Sequence, residues 1–244
     1  MMRGIYTAAS GMKFQMEALN QTAANLANAA TSGYKRNEII GESFDNLVFQ
    51  FQQPTALNRG GAGVTNAGLA RIDTQGPLIR TSNPLNIALS GPGYFQTIDA
   101  AGLVQVTRNG DFRMDNQGFL STHTGERVLG VDNQPIQLGA IASETMRIRS
   151  DGAILSGAQE VGRLKVVDQA EANPVTFPAS NVNAAGITQG FTIEQGYLER
   201  SNVNVVSEMV NMIAINKTFT IGKNAITTQD KLLEKSVNDL GRVQ

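Results

Sequence analysis

The sequence predicts an α + β fold in which long helices at the two ends of the chain pair as a coiled coil and a mostly antiparallel β-domain lies between them. Two observations support this prediction. Apolar residues recur every seven positions near both termini, which places one apolar stripe along a helix. Between these stripes, short alternating apolar runs are separated by pairs of turn residues, which is typical of antiparallel strands.

The composition suits this fold and restricts the classes of function. The chain has 244 residues, of which only 17% are charged and 6% aromatic, and it is rich in small polar residues that favour turns. A net charge of -1 and a pI near 5.9 argue against a nucleic-acid partner, which requires a basic face. Because the chain has no cysteine, disulfides, thiol nucleophiles and cysteine-based zinc sites are excluded.

The first predicted helix runs from about Gly4 to Ala30. Its apolar stripe is narrow, and many small residues on its other faces allow neighbouring helices to approach on more than one side. The helix should end near residues 31–33, because Gly33 can take the left-handed conformation that closes a helix. The stripe consists of Ile5, Met12, Leu19 and Leu26.

Residues 33–69 are predicted to form a connector that contains either a short helix or an extended hairpin. Within residues 39–51, Phe44, Leu47, Val48 and Phe51 fit the helical step, which favours the helix. The glycine-rich residues 54–68 then form a flexible connector. The expected domains are the helical residues 1–32 with 201–244, the connector 33–69 and the β-domain 70–200.

The β-domain is predicted from four short apolar runs and from the turns between them. The runs cover residues 85–89, 94–98, 103–107 and 161–167. The turn pairs are Asn109-Gly110, Gln117-Gly118, Thr124-Gly125, Asp132-Asn133 and Asp151-Gly152.

The last predicted helix begins after Asn204, a good N-cap, and Glu208 in its first turn suits the positive end of the helix dipole. It runs to about Leu240, a length of roughly 54 Å at 1.5 Å per residue. Its first turns are apolar nearly all round, which indicates burial on several sides. Its stripe consists of Val205, Met212, Phe219, Ile226, Leu233 and Leu240. The polar residues four positions after stripe residues, Asn216, Lys223 and Asp230, either specify neighbouring helices or form a solvated flank.

Residues that could carry catalysis or bind a metal do not form a convincing set. The Gly91-Pro92-Gly93 run lacks the third glycine of a dinucleotide loop, and Asp111 and Asp115 do not have the spacing of a calcium loop. His123 has no second histidine or cysteine with which to share a metal. We therefore predict no catalytic residue, cofactor or metal, and we expect a protein that is not an enzyme.

The sequence also bears on membranes and export. The longest mainly apolar stretch, Met209–Ile215, is too short to span a bilayer. The residues after Met1 lack the continuous apolar core of a secretory signal. We expect a chain that is not embedded in a membrane and is exported, if at all, without a cleavable signal peptide.

Four segments resemble the bacterial flagellar rod and hook family of axial proteins. Residues 25–36 resemble its "NLANxxTxGYKR" signature, and Lys35-Arg36 within this run either contacts an acidic partner or is solvated. Residues 83–95, 107–120 and 195–213 resemble further family segments in the same order. Lys217 and Phe219 stand where the family has an arginine and an aromatic residue.

The resemblance implies a structural subunit of the flagellar basal-body rod, located in the periplasm and transmitting torque. It implies that the terminal helices form an inner tube, and that the partners are other copies, sibling rod or hook proteins and the flagellar type III export apparatus. The short stretch between Lys35 and Gly76 and the strand near Val161 resemble proximal rod proteins more than distal rod or hook proteins. A cell-wall enzyme or binding module, and a soluble coiled-coil adaptor, are the rival classes.

Helical assembly requires contacts between different surfaces that do not close into a ring. We therefore expect the stripe residues to contact neighbouring subunits, with Asn25 and Asn28 capping or cross-linking the end of the first helix. The terminal helices should become ordered on assembly, because a narrow stripe buries too little surface alone. The predicted assembly interface comprises Ile5, Met12, Leu19, Asn25, Leu26, Asn28, Val205, Met209, Met212, Phe219, Ile226, Leu233 and Leu240.

Overall fold

The computed structural model describes residues 2–43, 64–139, 146–157, 159–167, 177–178 and 190–240. It has the predicted α + β composition, with a helix at each end and a β-rich central region. The helices are α1 (Met2–Ala27) and α2 (Val205–Leu240). The chain divides into a helical unit, made of residues 1–28, 36–73 and 203–244, and a β-rich unit, made of residues 29–35 and 74–202.

The described strands are short, and every pairing between them is antiparallel. They are β1 (Asn37–Ser43), β2 (Val64–Arg71), β3 (Leu78–Arg80), β4 (Ile87–Ser90), β5 (Tyr94–Ile98), β6 (Leu103–Thr107), β7 (Phe112–Met114), β8 (Leu120–Thr122), β9 (Arg127–Val128), β10 (Met146–Ile148), β11 (Ala153–Ser156), β12 (Gln159–Arg163), β13 (Val166–Val167), β14 (Phe177–Pro178), β15 (Thr192–Gln195) and β16 (Tyr197–Glu199).

In the helical unit, α1 contacts α2 and both strands of the β1–β2 pair. The contact side of α2 follows the seven-residue spacing seen in the sequence. Between residues 205 and 235, the described side chains that are buried or half-buried lie alternately four and three positions apart as far as Ile226. The next one is Leu233, because Gln229 is exposed. These residues are Glu208, Met212, Ile215, Phe219, Gly222, Ile226 and Leu233.

A glycine allows α1 and α2 to approach closely. A methyl group added at Gly222 would lie 3.0 Å from Cγ of Met12. Because a larger side chain would push against Met12, the absence of a side chain at this position keeps the helices close. Asn216, Lys223 and Asp230 are exposed on α2, whereas Ile215 and Gly222 occupy the positions that lie between stripe residues on the contact side.

The predicted helix over residues 39–51 is wrong for residues 39–43, which belong to strand β1. Strand β1 pairs with β2 from Asn37 opposite Arg71 to Ser43 opposite Val64. The β-branched residues Ile39 and Ile40 suit an extended chain, and a short apolar run does not distinguish strand from helix by periodicity alone. Val64–Gly68, expected to be flexible connector, forms part of β2. The helix-favouring residues Phe44, Leu47, Val48 and Phe51 lie outside the described residues.

The ends of both helices are close to the predicted positions. Helix α1 ends at Ala27 rather than near Ala30, and Gly33 then adopts the predicted left-handed conformation with φ of 70°. The Asn28 side chain donates to the Ala24 carbonyl at 2.9 Å, which satisfies one of the last carbonyl groups of the helix. At the start of α2, Oδ1 of Asn204 accepts the Ser207 N–H at 3.1 Å, so the predicted N-cap is confirmed.

In the β-rich unit the largest sheet has the strand order β14-β6-β5-β9-β8-β7, with β13 also paired to β5. Strands β10, β11 and β12 form a second sheet, and the pairs β4–β15 and β3–β16 complete the described strand pairings. Phe95 and Phe112 are fully buried, and their rings meet edge to face with centroids 5.3 Å apart. The predicted run 161–167 is interrupted near Leu164 and forms parts of β12 and β13.

Candidate functional site: motif anchors and helix surfaces

In the helical unit, the first residue of β1 is fixed to α1 by one asparagine side chain. Asn25 is 1% exposed, and its Nδ2 donates to the Asn37 carbonyl at 2.8 Å. Its Oδ1 accepts the Asn37 N–H at 3.1 Å. Asn25 therefore links α1 to the start of β1 within this chain.

The same end of β1 is fixed to α2 by an ion pair. Nε of Arg36 donates to Oε1 of Glu208 at 2.6 Å, and Glu208 is 2% exposed. The hydrogen bond to Glu208 raises the pKa of Arg36 above its ordinary value. Ile72 N–H bonds to the Arg36 carbonyl at 2.8 Å, which closes the base of the β1–β2 pair. Residues 36 and 37 thus connect both helices to the hairpin.

The β-rich unit contains a buried triad of charged residues: Lys35, Arg108 and Glu199. Nζ of Lys35 lies 2.6 Å from Oε1 of Glu199, and Nη1 of Arg108 lies 3.3 Å from Oε2. The side chains are 4%, 4% and 0% exposed, respectively. Buried ions of this kind require opposite charges and hydrogen bonds to compensate for lost hydration.

Other segments complete the surroundings of the triad. Gly76 N–H donates to Oε1 of Glu199 at 2.9 Å, and Gly33 N–H donates to the Glu199 backbone carbonyl at 2.7 Å. Arg108 also donates to the carbonyls of Leu89 and Gly91. The buried triad and its hydrogen bonds therefore join chain segments that are far apart in sequence.

On the side of α2 opposite its contact with α1, the first turns are also apolar, whereas later turns carry exposed polar residues such as Lys217, Asn224 and Lys231. Five exposed residues form this outer stripe, and at about 100° of rotation per residue they centre roughly 180° from the contact side. They are Val206 (70% exposed), Val210 (59%), Ile213 (57%), Ile221 (68%) and Leu232 (60%). Exposed apolar residues that cluster in this way mark interaction surfaces.

The predicted interface residues fall into four groups. The stripe residues Ile5, Met12, Leu19 and Leu26 are half-buried on α1, and Met212, Phe219, Ile226 and Leu233 are half-buried on α2. Val205 and Met209 are 40% and 49% exposed. Asn25 and Asn28 bond within the chain, as given above. Leu240 is the last residue of α2, and its side chain lies outside the described residues.

Neither carboxylates nor His123 form a candidate metal centre in the described part of the chain, where no group of three or more suitable ligands occurs. Asp115 accepts the N–H groups of Gln117 and Phe119, and the Phe119 bond is the largest cause of its lowered pKa. His123 has a 60% exposed side chain and lies 3.1 Å from Asp111. Asp115 therefore stabilises the turn between β7 and β8.

Three segments match described protein families. Residues 5–35 match "Flagella basal body rod protein", residues 88–156 match "Flagellar hook protein FlgE/F/G D1 domain", and residues 194–240 match "Flagellar basal body rod FlgEFG protein C-terminal".

Full-length relatives give the same result. The flagellar basal-body rod protein FlgG of Agrobacterium fabrum is 30% identical, across 95% of this chain and 97% of that protein. The chain belongs to the flagellar basal-body rod protein family. FlgG of Buchnera aphidicola subsp. Schizaphis graminum is 29% identical across 96% of this chain and 98% of that protein. FlgF of Rhizobium meliloti is 29% identical across 99% of both chains.

The buried triad of this rod-family chain takes one residue from each matched segment: Lys35, Arg108 and Glu199. Sequence reasoning left Lys35-Arg36 as a contact for an acidic partner or a solvated pair. The acidic partners are Glu199 and Glu208 of the same chain. The charged residues inside the segments that resemble the rod family could have indicated these ion pairs. Their spacing along the chain, however, does not show which charges form pairs.

The rod-family chain contains no candidate membrane span among its described residues: neither helix combines the length and apolar content needed to cross a bilayer.

Replacing Asn25 by alanine should loosen β1 from α1. The Asn37 N–H and carbonyl would both lose this partner, and the loss of two partly buried hydrogen bonds costs about 1–3 kcal/mol in total. Hydrogen exchange of the amides at residues 37–40 should report a free energy of opening lower by that amount. The matched control is Asn20→Ala, an exposed position on the same helix, where a change below about 0.5 kcal/mol is expected. Equal effects of the two substitutions would contradict the anchor.

Proposed function

We propose that this chain is a structural subunit of the flagellar basal-body rod, which assembles with other copies of itself and with sibling rod or hook proteins. Membership of the rod family supports this proposal, since the relatives compared above carry the name of basal-body rod proteins. The rod subunit would lie in the periplasmic part of the basal body and transmit torque along the assembled rod.

The observation that carries the proposal is the pair of opposite apolar sides on α2. One side contacts α1 within the chain, while the outer stripe, which includes Val206, Val210 and Ile213, remains exposed. A single α1 helix covers only one side of α2. The outer stripe is therefore available to a helix of a neighbouring subunit, and contacts between two different surfaces build an open helical array.

Within each subunit we propose that α1 and α2 pair as a coiled coil. The alternating four- and three-residue spacing from Glu208 to Ile226 is the spacing that coiled-coil packing requires. The predicted interface residues given in the sequence analysis would contact neighbouring subunits or support the helices that do. The axial domain would comprise the predicted terminal segments 1–32 and 201–244, with residues 70–200 as the domain that they carry.

The far turns of the helices would gain their stability on assembly. Helix α2 contains many threonine, asparagine and valine residues, which have low helix propensity. The hydroxyl groups of Thr218, Thr220, Thr227 and Thr228 bond to carbonyls four residues earlier, a pattern that slightly destabilises helices. Helices of this kind depend on packing against neighbours. Such a subunit suits export in an unfolded state through the flagellar type III apparatus, without a cleavable signal.

Within the rod family we propose the proximal, FlgF-like type. The alignment with Rhizobium meliloti FlgF spans 249 positions, whereas that with Buchnera FlgG spans 271, although both cover at least 96% of this chain. More residues of this FlgG than of this FlgF therefore have no counterpart in this chain. This agrees with the short stretch between Lys35 and Gly76.

The proposal predicts that charges on the outer stripe prevent assembly. In Val210→Asp/Ile213→Asp, each subunit contact would bury unpaired carboxylates, which costs several kcal/mol and weakens association by roughly 100-fold or more. Host cells that carry this variant as their only copy should lack complete rods in electron micrographs of basal bodies and should not swim. Hydrogen exchange of the β-rich unit in the purified chain should be unchanged.

The control adds the same charges at the same spacing where the exposed surface is already polar: Asn224→Asp/Thr227→Asp. These cells should form rods. Normal rods in the Val210/Ile213 variant would contradict a role of the outer stripe in assembly. If both variants lost rods equally, the cause would be added charge on α2 and not the loss of its apolar surface.

A further inference from the structure

The buried triad holds two positive charges and one negative charge. Within the described residues, Glu199 is the only carboxylate within ion-pair distance of Lys35 or Arg108. Nε of Arg108 is buried and has no hydrogen-bond partner among these residues. Lys35 also donates to the Thr74 carbonyl, and Arg108 donates to the Leu89 and Gly91 carbonyls, but these groups are neutral. Among the described residues, Glu199 alone supplies a negative charge to both cations.

Removal of one member of a buried ion pair is far more costly than removal of the whole pair, because it leaves an uncompensated charge in the interior. Without the Glu199 carboxylate, Lys35 and Arg108 would face each other across a buried space with no anion. The folded-to-unfolded ratio is expected to fall by about 10²- to 10³-fold from such a loss. The closed form of the β-rich unit is therefore less stable by that factor unless Glu199 is in place.

Glu199 is also the last of the converging groups in chain order. It follows Arg108 by 91 residues and Lys35 by 164, and the β-rich unit ends at Asn202. Its strand, β16, pairs with β3, and its backbone carbonyl accepts the Gly33 N–H. A chain that lacks residue 199 therefore contains both buried cations but not the carboxylate that they share.

We propose that Glu199 is a latch that makes the β-rich unit stable only when the chain through residue 199 has joined it. The latch acts through charge: it permits Lys35 and Arg108 to be buried.

The latch is tested in the purified full chain with Glu199→Gln, which keeps the size of the side chain and removes its charge. Amide hydrogen exchange of β4, β5 and β7 should lose protection by about 10²- to 10³-fold. The matched control is Glu160→Gln in the same unit, where the carboxylate is 46% exposed and pairs with Arg163; its protection should equal that of the unmodified chain.

A third variant separates charge from packing. Lys35→Met/Arg108→Met/Glu199→Met removes all three charges, and protection should return to within about tenfold of the unmodified chain, because apolar residues of similar volume replace buried ion groups well. Retained protection in Glu199→Gln overturns the latch. Failure of the triple variant to recover protection also overturns it, since the loss would then come from packing or hydrogen bonding.

Discussion

Aspartates at Phe219 and Ile226 should separate α2 from α1 and abolish rod assembly. Both residues are half-buried on the side of α2 that contacts α1. Each substitution removes part of the roughly 1.5–3 kcal/mol that a fully buried side chain of this kind contributes, and it places a carboxylate in the contact between α1 and α2. Because a long helix of low propensity depends on this packing, the subunit should lose the surface with which it assembles.

Two measurements check this expectation. Electron micrographs of basal bodies should show no rods, and the cells should not swim. In addition, Met12→Cys/Gly222→Cys provides a disulfide probe of the helix contact, since the chain has no other cysteine and the two positions touch. The disulfide should form readily in the otherwise unmodified chain and at least tenfold more slowly with the aspartates.

The matched control is Thr220→Asp/Thr227→Asp, which introduces the same charges at the same spacing one residue further along α2. Both threonines are exposed, so rods and the disulfide should form as before. Normal rods and motility with aspartate at Phe219 and Ile226 would show that the packing of these residues is not required. Loss of rods with a normal disulfide would place the defect outside the contact between α1 and α2.

A methyl group at Gly110 should disrupt the β-rich unit. Added to the backbone, it would overlap the Ile87 carbonyl oxygen. The Gly110 carbonyl already accepts the Ile87 N–H at 2.9 Å, so the two backbones are held together at this point. Because the neighbouring group belongs to the backbone and not to a flexible side chain, strand β4, which begins at Ile87, would have to move. We expect a loss of about 3 kcal/mol or more in the free energy of unfolding.

Urea unfolding of the purified chain, followed by near-ultraviolet circular dichroism of its tyrosines, measures this effect. The control is Gly162→Ala in the same unit, where the added methyl would contact Ile136 at an ordinary 3.4 Å. Its free energy of unfolding should stay within about 1 kcal/mol of the unmodified value. A similar stability of the two variants would show that the backbone at Gly110 relaxes without cost.

Local signals in the sequence predicted the helices well. The bounds of α2 followed from an N-cap at Asn204 and a seven-residue stripe, because both depend on residues that are near one another in the chain. The left-handed Gly33 followed from the same local chemistry. Helix α1 ends at Ala27, shortly before the end near Ala30 that the stripe predicted. Over residues 39–43 the sequence favoured a helix over the extended alternative that the structure shows, because the partner strand β2 comes from a later segment that the local pattern does not contain.

The anchors could not be predicted in this way. Lys35 meets Glu199 across 164 residues, and Arg36 meets Glu208 across 172. No periodicity or motif spacing links residues at such separations, so a single sequence cannot show which charges become partners. The resemblance to the rod family identified the segments that contain them but not their contacts. Glu208 was interpreted from its place in the first turn of α2, whereas its buried ion pair with Arg36 depends on the fold.

The double hydrogen bond between Asn25 and Asn37 has a consequence for aggregation. The Asn25 amide presents one N–H and one carbonyl to the backbone of Asn37, as a residue of an adjacent strand would. It therefore acts as a surrogate peptide group at the start of the β1 edge that no described strand covers. Exposed strand edges recruit further strands from other molecules. An edge whose first residue already has hydrogen-bond partners is less able to pair with such strands, which lowers the tendency of this chain to aggregate through β1.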